Sequence, residues 1–218
     1  DMSKCTAEFV RCLIRDIHDI SMNFQRSGLI TLVARSGSSI LGFFAIVIFA
    51  RELSTTELGI FFLFQMFISF LAIPGSFGRG NAVIKRVSEG EDPNDILATS
   101  LLFLLTSSII LSLIVVTLSD LINNYVGASI TLWLILGITL RSLYVLPINI
   151  MRGELRVGGA AILSFFQKIV WLVAGYSLIR LGFGFYSLVY SLLISYSLIS
   201  FVGFLLISTE VGSPNWRS

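Results

Sequence analysis

The sequence predicts an all-α protein, a polytopic membrane bundle of six transmembrane helices. Hydrophobic residues make up 55% of its 218 residues and charged residues 13%, whereas a soluble globular domain carries about 25% charged residues. A spanning helix needs about 20 consecutive, mostly apolar residues. Six stretches meet this requirement, at 29–50, 59–78, 96–118, 126–150, 159–179 and 184–208. They are apolar throughout rather than alternating, which excludes the strands of a membrane barrel.

The segment before the first span, residues 1–28, is predicted to form an amphipathic helix. Phe9, Leu13 and Ile17 recur every four residues, while Arg11 and Asp16 fall on other faces. We expect this helix to lie on the cytoplasmic membrane surface; packing against cytoplasmic loops or another subunit is the alternative. The segment lacks the pattern of a secretory signal, so the first span is predicted to be a true membrane helix.

Lysine and arginine are distributed unequally between the two sides of the predicted spans. Of the 15 Lys and Arg residues, ten lie on the side of the N-terminus, only Arg51 and Arg180 lie on the other side, and three lie inside spans. The positive-inside rule therefore places both termini, including the tail 209–218, in the cytoplasm. The net charge of +2 reflects this topology and gives no indication of nucleic-acid binding.

The charges inside the spans are all positive. Arg35 lies in the first span, Arg141 in the fourth and Lys168 in the fifth, and the six spans contain no Asp or Glu. A cation at mid-bilayer costs about 2.5–3.5 kcal/mol on insertion scales. We therefore expect these three residues to have a function, and their shared sign indicates an anionic ligand.

The depth and surroundings of these cations predict a cavity. All three fall roughly 9–14 Å from the cytoplasmic end of their spans at the rise of an α-helix. Each shares a helix face with small or polar residues, which favours a bundle interior or a wet cavity. These neighbours are Thr31, Ser38, Ser39 and Gly42 for Arg35; Gly137 and Tyr144 for Arg141; and Ser164, Trp171 and Gly175 for Lys168. The alternative is that the cations snorkel to headgroups and serve as anchors.

Two proline positions predict breaks in the helices. Pro74, followed by Gly75, lies in the second span and Pro147 in the fourth. A proline removes a helix hydrogen bond, and transporters use broken helices to move or to coordinate a substrate. These three residues are therefore candidate hinge residues, although proline is also more common in membrane helices than in soluble ones.

The residues that enzymes and metal sites require are missing from the spans. The single histidine, His18, precedes the first span, and no carboxylate within a span could act as a base. Cys5 and Cys12 match no zinc-binding spacing and are predicted to be free thiols on the reducing side. We therefore predict no catalytic activity, no metal site and no cofactor.

Three stretches resemble a known superfamily. Residues 49–61 contain Arg51-Glu52-Leu53-Ser54-Thr55-Thr56-Glu57-Leu58-Gly59. This resembles the Arg-x-Leu-Gly-Pro-x-x-Tyr-Gly loop of polysaccharide-export flippases of the multidrug/oligosaccharidyl-lipid/polysaccharide (MOP) superfamily, with Ser-Thr in place of Gly-Pro and leucine in place of the aromatic residue. Residues 74–86 are similar to the glycine-rich end of the second helix and the basic inner loop, and 151–189 to the fourth-to-sixth helix region. The similarity covers about 28–208.

This resemblance implies a fold and a function. Such proteins have twelve to fourteen helices in two lobes, as in MATE-type transporters, and move lipid-linked sugars through a cavity that opens alternately to each side. The six spans would form the N-terminal lobe, with 209–218 as a tail or the start of a linker to a second lobe. Arg35, Arg141 and Lys168 would then meet the phosphate or pyrophosphate of a polyprenyl carrier, and Arg79 would be an inner gate residue.

The resemblance also implies partners and leaves two alternatives. The expected partners are the bilayer of the cytoplasmic membrane, a polyprenyl-linked glycan, a second lobe or a second copy, and glycan-assembly enzymes. A drug or metabolite exporter of the MATE type is one alternative, although such exporters typically carry acidic residues in their helices. The other alternative is a non-transporting subunit or scaffold, whose buried cations would pair with the acids of a partner.

Overall fold

The computed structural model describes residues 28–76, 78–91 and 93–211, and within these ranges all regular secondary structure is helical. The predicted amphipathic helix, with Cys5, Cys12 and His18, lies outside the described residues, as does the tail beyond Val211. The helices, numbered in chain order, are α1 Gly28–Glu52, α2 Thr55–Ser76, α3 Arg79–Ser88, α4 Pro93–Thr117, α5 Ser119–Val126, α6 Thr131–Gly153, α7 Val157–Arg180 and α8 Tyr186–Val211.

Six of these helices are long and apolar enough to cross a membrane. They are α1, α2, α4, α6, α7 and α8 among the described residues. The remaining two, α3 and α5, are short, and each buries two hydrophobic residues on one side. The predicted fold class, a polytopic bundle of six membrane helices, is therefore confirmed.

The second spanning helix begins four residues earlier than the sequence predicted, because a capping box starts it. The backbone N–H and the hydroxyl of Ser54 both donate to the Glu57 carboxylate, at 2.9 and 2.8 Å, and the Glu57 N–H donates to the Ser54 hydroxyl at 3.3 Å. These reciprocal bonds satisfy the first free backbone donors of the helix. Glu57 lies outside the predicted span, which begins at residue 59, but it is part of the helix.

Replacing Glu57 by alanine is expected to destabilise the start of α2 by about 0.5–2 kcal/mol, the usual cost of losing an N-terminal cap. The midpoint of thermal unfolding of the purified protein in detergent measures this effect. Thr56→Ala is the matched control, because Thr56 is an exposed neighbour in the same turn. An equal decrease in both variants would contradict a role for the capping box.

The fourth spanning helix also differs from its predicted bounds, since it begins at Thr131 and ends at Gly153. Before it, α5 ends at Val126 and is followed by Gly127, whose positive φ of 74° favours glycine. The Asn123 side-chain oxygen then accepts hydrogen bonds from the Ile130 N–H at 3.0 Å and the Thr131 hydroxyl at 3.1 Å. This turn shifts the helix toward its C-terminal end, so that Arg152 becomes part of it.

The centre of the bundle is formed by α6 and α8, which are the most buried spans. α8 packs against both α6 and α7, and its serines 187, 191 and 195 are fully buried. α1 joins the core through Phe49, whose ring lies 5.2 Å from that of Trp171 on α7. α1 and α7 also approach closely at Gly37, where a Cβ would lie 2.9 Å from the Phe165 side chain.

The predicted hinge residues lie in helical backbone. Pro147 is buried in the middle of α6, which continues as one helix on both sides of it. Pro74 and Gly75 lie in the last turn of α2. A hinge function for these positions stays a prediction.

Candidate functional site

A cavity of about 340 Å³ lies between α1, α6 and α7. The side chains from α1 and α7 recur at three- or four-residue intervals and therefore lie on one face of each helix. The lining residues are Thr31, Arg35, Ser38 and Ser39 from α1; Tyr144 and Arg152 from α6; and Val157, Ala161, Ser164, Gln167 and Lys168 from α7.

Three cations converge on this cavity without a carboxylate. Arg35, Arg152 and Lys168 line it, and the lining includes no Asp or Glu. Among the described residues, none of the three forms an ion pair. The Lys168 ammonium lies 5.2 Å from the centre of the Trp171 ring, so its charge faces the electron-rich surface of an aromatic side chain. The cavity therefore combines uncompensated positive charge with a hydroxyl-rich wall.

Neutral side chains of the cavity are tied to the buried core. Gln167 is buried and donates to the Ser195 hydroxyl on α8 at 2.9 Å. Tyr144 stacks on Tyr196 of α8, with 5.2 Å between the ring centres. Both partners are in α8, one of the two helices at the centre of the bundle. α8 therefore fixes the back wall of the cavity.

Arg141 lies beside the cavity rather than in its lining. Its guanidinium donates to the Ser69 hydroxyl on α2 at 2.8 Å. It nevertheless precedes Tyr144, a lining residue, by three positions on α6 and therefore lies close to the cavity. Arg141 therefore raises the positive potential of the cavity from the side of α2.

Arg79 lies apart from the other predicted site residues. It is the first residue of α3, and its guanidinium carbon lies 5.8 Å from the centre of the Phe103 ring on α4. The four residues that the sequence singled out are thus divided by the structure. Arg35 and Lys168 share one cavity, Arg141 is adjacent to it, and Arg79 belongs to a different part of the surface.

Sequence reasoning did not select Arg152 or Gln167. The sequence places Arg152 in a cytoplasmic connection, because the predicted fourth span ends at residue 150. A usable signal exists, since Arg152 follows Arg141 by 11 residues, which is close to three full turns and returns to the same face. Gln167 precedes Lys168 directly and carries no such signal.

An apolar groove lies next to the charged cavity, between α1 and α7. It has a volume of about 430 Å³ and is lined by Ile48, Leu172, Val173, Tyr176 and Ser177. Leu172 follows Lys168 by four residues, a rise of about 6 Å. A charged cavity and an apolar groove are therefore neighbours along one pair of helices.

The described part of the chain holds no group of three or more His, Cys, Asp or Glu side chains that could bind a metal ion. That the chain has no metal site stays a prediction.

Comparison with known proteins gives two similarities. Residues 48–217 match a family described as "Polysaccharide biosynthesis protein". Over 197 residues the chain is 34% identical to the "Probable low-salt glycan biosynthesis flippase Agl15" of Haloferax volcanii. The aligned region covers 90% of this chain and 42% of that protein, so the chain spans less than half the length of its relative. No solved structure matches the chain.

Proposed function

The chain belongs to the polysaccharide biosynthesis protein family, and on that premise we propose that residues 29–208 are the N-terminal six-helix lobe of a flippase for a lipid-linked sugar. The substrate would be a sugar or oligosaccharide on a polyprenyl phosphate or pyrophosphate. The observation that supports this proposal best is the cavity with three cations and no carboxylate.

The chemistry of the cavity suits a phosphate group. Arginine offers several N–H donors in a planar fork that can bind two phosphate oxygens at once, and lysine adds a compact positive charge. Arg35 and Arg152 provide two such forks on different helices, and Lys168 contributes its charge from α7. Serine and threonine hydroxyls from α1 complete a wall that could accept or donate hydrogen bonds to a sugar.

The neighbouring groove supports an amphiphilic substrate. A lipid-linked sugar has an anionic head group attached to a long apolar chain. With its phosphate at Lys168, such a molecule would extend its chain along Leu172 and Val173, which line the apolar groove. The order of the two cavities along α7 thus follows the order of the chemical groups in the substrate.

A second half is part of the proposal. Alternating access needs two units that move against each other around a central site. The relative of more than twice the length is named a flippase. We infer that a second six-helix lobe, or a second copy of this chain, closes the cavity from the opposite side, with both termini of this lobe in the cytoplasm.

The charge of the cavity also separates this proposal from its alternatives. An exporter of cationic drugs would place acidic residues near its substrate, and the cavity contains none. A non-transporting subunit would use Arg35, Arg152 and Lys168 to bind the acids of a partner protein. We propose transport as the function of this chain and, because the predicted spans lack His and carboxylates, no enzymatic activity and no cofactor.

Binding of undecaprenyl pyrophosphate to the purified protein in detergent tests the proposal. Lys168→Gln is expected to weaken binding about tenfold, because a charge-assisted hydrogen bond contributes about 1.5–3 kcal/mol. Lys85→Gln is the control, since Lys85 is an exposed residue on α3 that does not line the cavity. Binding of the cationic dye ethidium in preference to the lipid would favour a drug exporter and contradict the proposal.

A further inference from the structure

A second basic site lies between α3 and α4, and it goes beyond the proposed function. It is a cavity of about 270 Å³ whose polar lining comes from Arg79 and Arg86 of α3 and Thr99 and Ser100 of α4. It shares no lining residue with the cavity of α1, α6 and α7. We propose that it binds the phosphate head group of an anionic glycerophospholipid of the surrounding membrane.

The central observation is a buried cationic donor. Among the described residues, no atom accepts a hydrogen bond from Nη1 of Arg79, although this nitrogen is buried. Its surroundings are mainly apolar, with the Phe103 ring 5.8 Å from the guanidinium carbon. Burial lowers the pKa of the Arg79 guanidinium, but arginine remains charged in proteins. A charged donor in this position is stabilised by an anionic acceptor, and a phosphate oxygen is such an acceptor.

Arg86 supplies a second positive charge on the same side of α3. It follows Arg79 by seven residues, two helical turns, and both residues line the site. Arg86 is paired with Glu91 at 3.6 Å, but both side chains are about half exposed. Such surface pairs contribute little to stability. The guanidinium of Arg86 can therefore turn toward a phosphate at small cost.

The position of the site favours a membrane lipid over a soluble phosphate. α3 connects two spanning helices, α2 and α4, and it buries Val83 and Val87 against the bundle. In a bilayer crossed by α2 and α4, its charged face would lie at the level of the head groups. Beyond the site, α4 exposes a continuous set of large apolar side chains, which are Leu102, Phe103, Leu105, Ile109, Ile110 and Leu113. An acyl chain attached to a phosphate at Arg79 would lie along this surface.

Clusters of basic residues next to the end of a spanning helix bind anionic head groups, and their affinity comes from the charge of the lipid. Native mass spectrometry of the purified protein can detect such binding. The probes are dioleoylphosphatidylglycerol, which is anionic, and dioleoylphosphatidylcholine, which is zwitterionic and has the same chains. We expect the unmodified protein to retain phosphatidylglycerol about tenfold better than phosphatidylcholine.

Three variants locate the site. Arg79→Gln is expected to reduce the preference for phosphatidylglycerol to nearly none, and Arg86→Gln to reduce it about threefold. Lys85→Gln is the matched control, because Lys85 is an exposed cation on the same helix that pairs with Glu89 and does not line the site. Arg86 is also exposed, so Arg86→Gln keeps the test informative if Arg79→Gln does not fold.

Two results would overturn the inference. Equal losses in Arg86→Gln and Lys85→Gln would show that the lipid responds only to the overall charge of α3. Displacement of phosphatidylglycerol by millimolar inorganic phosphate would show that the site takes a soluble anion instead of a lipid. Neither result would affect the proposed flippase, because substrate binding is assigned to other residues.

Discussion

Replacing Arg152 and Lys168 together by glutamine is expected to abolish export of the lipid-linked glycan. Each side chain can supply a charge-assisted hydrogen bond of about 1.5–3 kcal/mol to the phosphate. The combined loss of about 3–6 kcal/mol corresponds to a decrease in affinity of at least a hundredfold. Lys168→Gln removes a charge from within a span, and Arg152 lies in the last turn of α6, so insertion into the membrane is expected to remain normal.

The measurement is glycan export in cells whose only copy of the gene, in its full reading frame, carries the variant. Protein level in the membrane fraction is determined in parallel. The control variant carries Arg51→Gln and Lys85→Gln, which remove the same number of positive charges from exposed positions outside the cavity. Unchanged export together with a lost complex would support the scaffold alternative and contradict the flippase. Equal loss of export in both double variants would show that the change in net charge, and not the cavity, causes the loss.

The cavity charges also predict an order of effects among single variants. Lys168 is half-buried and faces Trp171, whereas Arg35 is exposed. Because charge interactions are stronger where water is excluded, Lys168→Gln is expected to lower export more than Arg35→Gln. Export assays of the two single variants, at equal protein level, test this order.

Replacing Gly203 by leucine is expected to prevent the bundle from packing. A Cβ at this position of α8 would lie 2.9 Å from both Cβ and Cγ of Pro147 on α6, and 3.2 Å from Cδ2 of Leu163 on α7. The proline ring is rigid and cannot rotate away. Overpacking of a well-packed core costs about 1–3 kcal/mol, and leucine adds three more heavy atoms beyond the clashing Cβ. We therefore expect a loss near or above the upper end of this range.

Thermal unfolding in detergent, together with the yield of monodisperse protein, measures the effect of Gly203→Leu. Gly42→Leu is the matched control, because a Cβ at Gly42 of α1 would meet no atom within 4 Å. A normal unfolding midpoint for Gly203→Leu would mean that α8 can move away from Pro147 without penalty. That result would favour the predicted hinge at Pro147 over a fixed contact at this point.

The family and the fold class were predictable from the sequence. Six apolar stretches and a low content of charged residues are enough to predict six membrane helices, and the structure confirms them. The resemblance carried by the loop at Arg51–Gly59 predicted a polysaccharide flippase of the MOP superfamily, and the comparisons confirm membership of a polysaccharide biosynthesis protein family. Helix ends were less predictable. α2 and α6 begin where side chains of Ser54, Glu57 and Asn123 form local hydrogen bonds, and hydropathy does not register such bonds.

The candidate site was predictable only in part. The sequence identified Arg35 and Lys168 as unusual, since a cation within a span is costly wherever it points. For Arg152 the signal was only its spacing from Arg141, because Arg152 lies at the end of a helix where a cation is ordinary. The sequence could not show that Arg79 lies elsewhere, between α3 and α4.

The sequence by itself determined that the chain forms membrane helices and that the charges inside them are positive. Only the tertiary structure decided which of these charges share a cavity. The reason is that most of the spanning helices are apolar on every face, so hydropathy does not fix how each helix is rotated about its axis. Close contacts such as Gly37 with Phe165 and Gly203 with Pro147 fix these rotations. They turn Arg35, Arg152 and Lys168 toward one another and leave Arg79 on a separate surface.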